Sequence, residues 1–243
     1  MCGRYVSVSS PTILAERFDV TTLRATETPG RNYPEPNYNV APRAEVPVVA
    51  ESSEHERVLD LVRWGLVPSW AKDIKIGDRM INARAETVMT TNAYKRAFER
   101  RRCIIPADGF YEWQKIAHRK TKQPWFFRRR DGEPLAFAGV WEIWHDPNDP
   151  DPDAPRVRSC AIITTDANEL VQPVHDRMPV ALPESVWDTW LDRDNRDVDT
   201  LATMLASAPA DEMEAWPVSL LVNKADNNGP ELLDRADVEE TLL

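Results

Sequence analysis

The feature that most constrains this chain is a succession of strand-like runs between Cys103 and Thr165. Residues 103–105, 110–116, 125–130, 135–144 and 157–165 are rich in β-branched and aromatic side chains, and turn-forming or charged segments separate them. Two further runs, 46–50 and 57–64, flank a charged turn at 51–56, and a last strand is expected near 218–222. Helical patterns are short and inserted between these runs. Ser10 and Pro11 supply an N-cap and a first-turn proline for a helix reaching Phe18. Residues 91–102 place Ala93, Tyr94, Ala97 and Phe98 on one helical face, and two short helices are expected near 183–191 and 198–206. The mixture predicts an α+β fold with mostly antiparallel pairing.

The 243 residues are enough for one compact domain with a substantial core, and residues 1–243 are read as a single domain. The acidic, proline-rich stretch at about 145–156 interrupts two strands, which predicts a surface loop and not a linker. Residues 26–42 carry four prolines and predict an irregular loop. Eight glycines, none in a phosphate-binding pattern, argue against nucleotide-loop folds. No apolar run of about 18 residues suggests a transmembrane helix, and MCGRYVSVSS lacks the layout of a secretory signal. Three cysteines do not make a disulfide framework, so a cytoplasmic location is expected. The four histidines show no metal-ligand spacing, and no metal or cofactor is expected.

The net charge of −10 opposes binding to nucleic acid unless positive charge is concentrated. Residues 92–130 hold twelve Lys/Arg against three Asp/Glu, an excess of nine, so the remainder of the chain sums to −19. Charge alone reads equally well as a solvated helix face and a basic hairpin.

Few residues carry obvious chemistry. Removal of Met1 would leave Cys2 at the N-terminus, with an α-amine and a thiol on adjacent carbons. An α-amine has a pKa of ~7.7–8.0, far below that of lysine, so it condenses readily with an aldehyde. The neighbouring thiol can then close a thiazolidine ring. Position alone leaves this open against a frayed, unreactive terminus. Cys103 and Cys160 lie in apolar strand patterns and read as buried structural thiols. His175, in PVHDRMPV, has apolar flanks and reads either as a core histidine or as a catalyst. Glu112, in FYEWQ, is either a carboxylate raised in pKa among aromatics or a solvent-facing strand residue. Asn82 in RMINARAET says nothing alone, and the tryptophans, nine in all, suit either base stacking or core packing.

Taken together, the motifs closely resemble the SOS-response-associated peptidase family of abasic-site processing proteins. The matching stretches are MCGR, YNVAP (38–42), WGLVPSW (64–70), INARAET (81–87), ADGFYEW (107–113), HDRMPV (175–180) and WPVS with Val222 and Asn223. They occur in family order across nearly the whole chain. The resemblance implies barrel-like β-sheets with peripheral helices, and a monomer that acts on single-stranded DNA containing abasic sites. It implies that Met1 is removed by the protein itself, and that Cys2 joins the ring-opened sugar through Schiff-base, lyase-type chemistry, shielding the site during the response to DNA damage. Under this resemblance Asn82 positions the cysteine, Glu112 transfers protons, and His175 assists ring opening and reversal. Arg4, Arg84 and Arg177 would hold phosphates, Thr164 would add a contact, and Trp70 and Trp113 would meet bases. Ala71 stands where the family pattern often carries a second aromatic, and the segment 71–80 is longer than in bacterial relatives. The rival readings are an N-terminal-nucleophile amidohydrolase of the glutamine amidotransferase type and a noncovalent single-strand-binding module.

Overall fold

A computed structural model describes residues 2–24, 32–151 and 153–237. Its strands, in chain order, are β1 (Arg4–Ser7), β2 (Thr22–Leu23), β3 (Asn37–Val40), β4 (Glu45–Glu51), β5 (Arg57–Trp64), β6 (Asn82–Arg84) and β7 (Arg102–Ala107). They continue as β8 (Gly109–Gln114), β9 (Gln123–Arg129), β10 (Leu135–Trp144), β11 (Val157–Asp166), β12 (Arg177–Pro179) and β13 (Met213–Pro217). Strands β11, β10, β7, β4 and β5 are hydrogen-bonded in that order, and β5 returns to β11, closing a five-stranded barrel. A second sheet, ordered β13-β9-β8-β1-β3, covers one side of it. Tyr5 meets Trp64 with ring centroids 5.3 Å apart, and Phe110 meets Phe137 at 6.0 Å, so aromatics join the sheet to the barrel. The helices Pro11–Arg17, Lys95–Arg100, Trp187–Leu191 and Val198–Thr203 pack outside the barrel on a second core that includes Leu14, Phe98, Trp190 and Leu201.

The α+β, largely antiparallel architecture agrees with the sequence reading, and the structure corrects its boundaries. The helix expected over 91–102 is confined to Lys95–Arg100, because Arg102 already pairs with Val140 as the first residue of β7. The last strand lies at Met213–Pro217 and not at 218–222; Leu220–Asn223 is instead a 3-10 turn capped by Ser219. Residues 37–40, expected to be loop, form β3 beside β1, while residues 26–31 of that segment lie outside the described residues. The acidic stretch joins β10 to β11, whose ends pair as Trp144 with Val157.

Two close approaches position the site. A β-carbon on Gly109 would fall 2.3 Å from the Phe126 ring, so only glycine lets β8 lie this near β9. Gly65, at a φ of 121°, and Gly77 meet backbone to backbone, turning the chain out of β5 toward Asn82. Ala71 is buried beside Trp144, whose indole nitrogen donates to the Ala71 carbonyl at 2.7 Å. Among the described residues no helix is long and apolar enough to cross a membrane.

Candidate active site

Strand pairing brings the chain's second residue into the interior. Arg4 pairs with Tyr111 and Tyr5 with Phe110, so the residues before Arg4 run alongside Glu112 and Trp113. Asp108 accepts from the backbone N–H groups of Val8 and Ser9 at 2.6 and 3.0 Å, anchoring the far end of β1. Cys2 is fully buried. Its carbonyl accepts from Asn82 Nδ2 at 2.8 Å, and its thiol contacts the Arg4 carbonyl at 3.8 Å. Burial, followed by the nearby Glu112 carboxyl, pushes the thiol well above its usual range. The frayed-terminus reading of Cys2 is therefore wrong.

Asn82 opens β6, which runs parallel to β11 with Asn82 beside Ile162. Tyr94 Oη donates to the Asn82 carbonyl at 3.0 Å, and Trp64 Nε1 donates to the Ile81 carbonyl at 2.9 Å, bracing the strand from two sides. Asn82 Oδ1 is buried and, among the described residues, accepts no hydrogen bond.

Glu112 follows Phe110 at the spacing that shares one face of a strand, and so points toward the barrel. It is 2% exposed, and desolvation raises its pKa from 4.5 to about 7. The solvent-facing alternative for Glu112 is excluded. His175 lies with Nε2 3.9 Å from Glu112 Oε2. Its Nδ1 accepts from the Arg177 backbone N–H at 3.0 Å and also sits 2.9 Å from Asp176 Oδ1. One nitrogen cannot accept from the first and donate to the second. The backbone donor is fixed by the fold whereas Asp176 is exposed, so Nδ1 is the acceptor and Nε2 carries the proton toward Glu112. Burial lowers the His175 pKa, which favours this neutral form.

The surrounding cations differ in their engagement. Arg4 donates through Nη1 to Asn39 Oδ1 at 2.8 Å and to the Val222 carbonyl at 2.9 Å. Arg177 grips both oxygens of Glu86 at 2.6 and 3.0 Å, with Asp166 Oδ1 at 2.6 Å and the Thr164 carbonyl at 2.7 Å. Thr164 itself is buried, its hydroxyl donating to the Ala83 carbonyl at 3.4 Å. Arg84 is exposed two residues beyond Asn82. Trp70 is 61% exposed, whereas Trp113 is half-buried and donates to Asn223 Oδ1 at 2.6 Å.

Sequence reasoning missed Lys122, whose charge acts on both Glu112 and His175 from the β8–β9 hairpin. It also missed Leu220 and Leu221, half exposed on the 3-10 turn that touches Arg4 and Trp113. The basic stretch 92–130 is dispersed by the fold. Arg102 is buried on backbone carbonyls, including those of Trp190 and Phe98, and Arg101 pairs with Glu142 at 2.7 Å.

The family model described as SOS response associated peptidase (SRAP) matches residues 1–225. This chain belongs to that family. The SRAP chain is 41% identical over 234 residues to abasic site processing protein YoqW of Bacillus subtilis (strain 168), covering 96% of this chain and 99% of that protein. It is 31% identical over 239 residues to abasic site processing protein HMCES of Rattus norvegicus, covering 84% of this chain and 66% of the relative. A crystal structure of a protein from Bacteroides thetaiotaomicron, 22% identical, superposes with a TM-score of 0.84 over 97% of this chain and 100% of that one, sharing the SRAP fold.

Proposed function

We propose that this SRAP protein captures abasic sites in single-stranded DNA as a covalent adduct on Cys2, after loss of Met1. The observation that carries the reading is that buried Cys2 is held by Asn82 beside buried Glu112, with His175 against Glu112. The names of the relatives, abasic site processing proteins, support the substrate. Met1 lies outside the described residues.

The α-amine of Cys2 attacks the aldehyde of the ring-opened deoxyribose, giving a carbinolamine. Expulsion of water as the imine forms needs a proton at the leaving hydroxyl. Glu112, with a pKa near 7, is part protonated at neutral pH and suits that transfer. The thiol then adds to the imine carbon while its proton moves to nitrogen, closing the thiazolidine with one water lost overall. A thiol whose pKa is raised by burial stays protonated, so sulfur acts second and nitrogen first. The same burial opposes the amidohydrolase reading, which needs a thiolate attacking an amide.

Asn82 holds the Cys2 carbonyl and offers its buried Oδ1 to the amine or a sugar hydroxyl. His175, neutral, assists opening of the sugar ring and reversal of the adduct. Arg4, Arg84 and Arg177 receive flanking phosphates through guanidinium forks, and a phosphate at Arg177 displaces Glu86 or Asp166. Thr164 acts through its carbonyl on Arg177. Trp70 and Trp113 stack on or wedge against exposed bases. Removal of Met1 is self-catalysed, the protein acts as a monomer in the cytoplasm, and the adduct shields the site.

The test is a pair of variants incubated with an abasic single-stranded oligonucleotide. Cys2→Ala should give no heat-stable crosslink while retaining noncovalent binding. Cys2→Ser should give a reversible adduct, trapped by borohydride, that never matures. A Cys2→Ala protein that crosslinks like the wild type would overturn the assignment.

A further inference from the structure

At the opposite end of the barrel from Cys2 lies a cavity of about 380 Å³, within the size range of small-ligand sites. Eight arginines line it against two acidic residues, Glu51 and Asp60. Both acids are already engaged: Asp60 pairs with Arg158, and Glu51 accepts from the Arg193 backbone N–H at 2.9 Å and pairs with His55 at 3.4 Å. Among the described residues, the side chains of Arg96, Arg100, Arg193 and Arg196 have no carboxylate partner. In a chain of net charge −10, four unneutralised guanidinium groups around one opening form a strong local positive field. Trp141, only partly buried, supplies an aromatic wall beside them.

We propose that this cavity binds nucleoside phosphates, with the guanidinium groups of Arg96, Arg100, Arg193 and Arg196 on phosphate and Trp141 against the base. A planar fork of donors suits phosphate oxygens, and an indole face suits any base without selecting among them. Helix Lys95–Arg100 supplies two of the arginines, and the loop after helix Trp187–Leu191 supplies the other two. Arg102 holds the two elements together through the carbonyls of Phe98 and Glu99 on one side and Trp190, Asp192 and Asn195 on the other. The backbone segments that carry the four arginines are thus held together. Along β11 the cavity residue Arg158 and the site residue Thr164 are six positions apart, roughly 20 Å, so the cavity is separate from the Cys2 site.

The ligand is either a free mononucleotide or a stretch of strand, and both present the same phosphate and base chemistry. Two probes distinguish them: dAMP titrated by calorimetry, and an unmodified 30-nucleotide oligo-dT followed by anisotropy. Each is compared between wild type and the double variant Arg100→Ala/Arg196→Ala, whose two side chains are exposed and carry no hydrogen bond that the fold needs. A mononucleotide site predicts dAMP binding that weakens at least tenfold in the variant. A strand site predicts that dAMP binds neither protein and that oligo-dT binds the variant at least tenfold more weakly. The charge-retaining pair Arg100→Lys/Arg196→Lys should still lose severalfold, because it loses the fork and not the charge. Equal affinities of wild type and Arg100→Ala/Arg196→Ala for both probes would overturn the proposal. Crosslinking of a short abasic oligonucleotide at Cys2 should be unchanged in these variants, so the two readings fail independently.

Discussion

At the scale of single residues, the proton-transfer role proposed for Glu112 comes at a cost in stability. Folding raises its pKa from 4.5 to about 7, so the folded state favours the protonated carboxyl. Its contribution is complete below pH ~4, near the unfolded value, and is lost as pH rises through 7, roughly 3 kcal/mol in all. Glu112→Gln cannot ionise. Chemical denaturation at pH 5 and pH 9 should show the variant without that part of the alkaline loss, and its crosslinking rate should drop roughly 100-fold near neutrality. A variant with wild-type rate and wild-type pH dependence of stability would remove Glu112 from the mechanism. Burial of Cys103 and Cys160 was legible from their apolar strand patterns. That of Cys2 was not, since it depends on β1 pairing with β8, more than a hundred residues away in sequence. The facing of Glu112 was equally hidden: alternation shows which residues share a side, and packing decides which side is inside.

Among the elements, the β8–β9 pair bears most on the site, because it carries Glu112 and Lys122 together. Gly109 sets its geometry. Gly109→Ala would push a methyl into the Phe126 ring, 2.3 Å away. The expected cost is ~1–3 kcal/mol, seen as a fall of several degrees in Tm, with slower crosslinking as Glu112 shifts. An unchanged Tm would show that β8 and β9 tolerate separation. Long strands such as β10 and β11 were legible because ten residues of β-rich pattern outweigh any alternative. The short β1, β3, β6 and β12, which carry or flank Arg4, Asn82 and Arg177, were not. Each is four residues or fewer and exists through pairing with distant strands. Motif order across the chain had pointed to the same residues by resemblance, without showing what holds them.

For the whole molecule, the decisive quantity is how an acidic protein retains DNA. The excess of nine positive charges in residues 92–130 is divided by the fold between the β8–β9 hairpin, the helix-covered outer face of β7 and the arginine-lined cavity. Noncovalent affinity should therefore be modest and fall with salt, the log–log slope being about −0.7 per phosphate contact. Anisotropy with undamaged single strand should show this from low to molar salt, and a flat response would refute phosphate-led binding. Under the proposed mechanism, covalent capture at Cys2 would remove that dependence once the adduct has formed. The intact mass of the protein after mixing with an abasic oligonucleotide reports loss of Met1 and capture at Cys2 together. The expected product is a protein lighter by one methionine residue, joined to the oligonucleotide with loss of one water. A retained Met1, or unmodified protein beside intact abasic strand, would contradict the proposed mechanism.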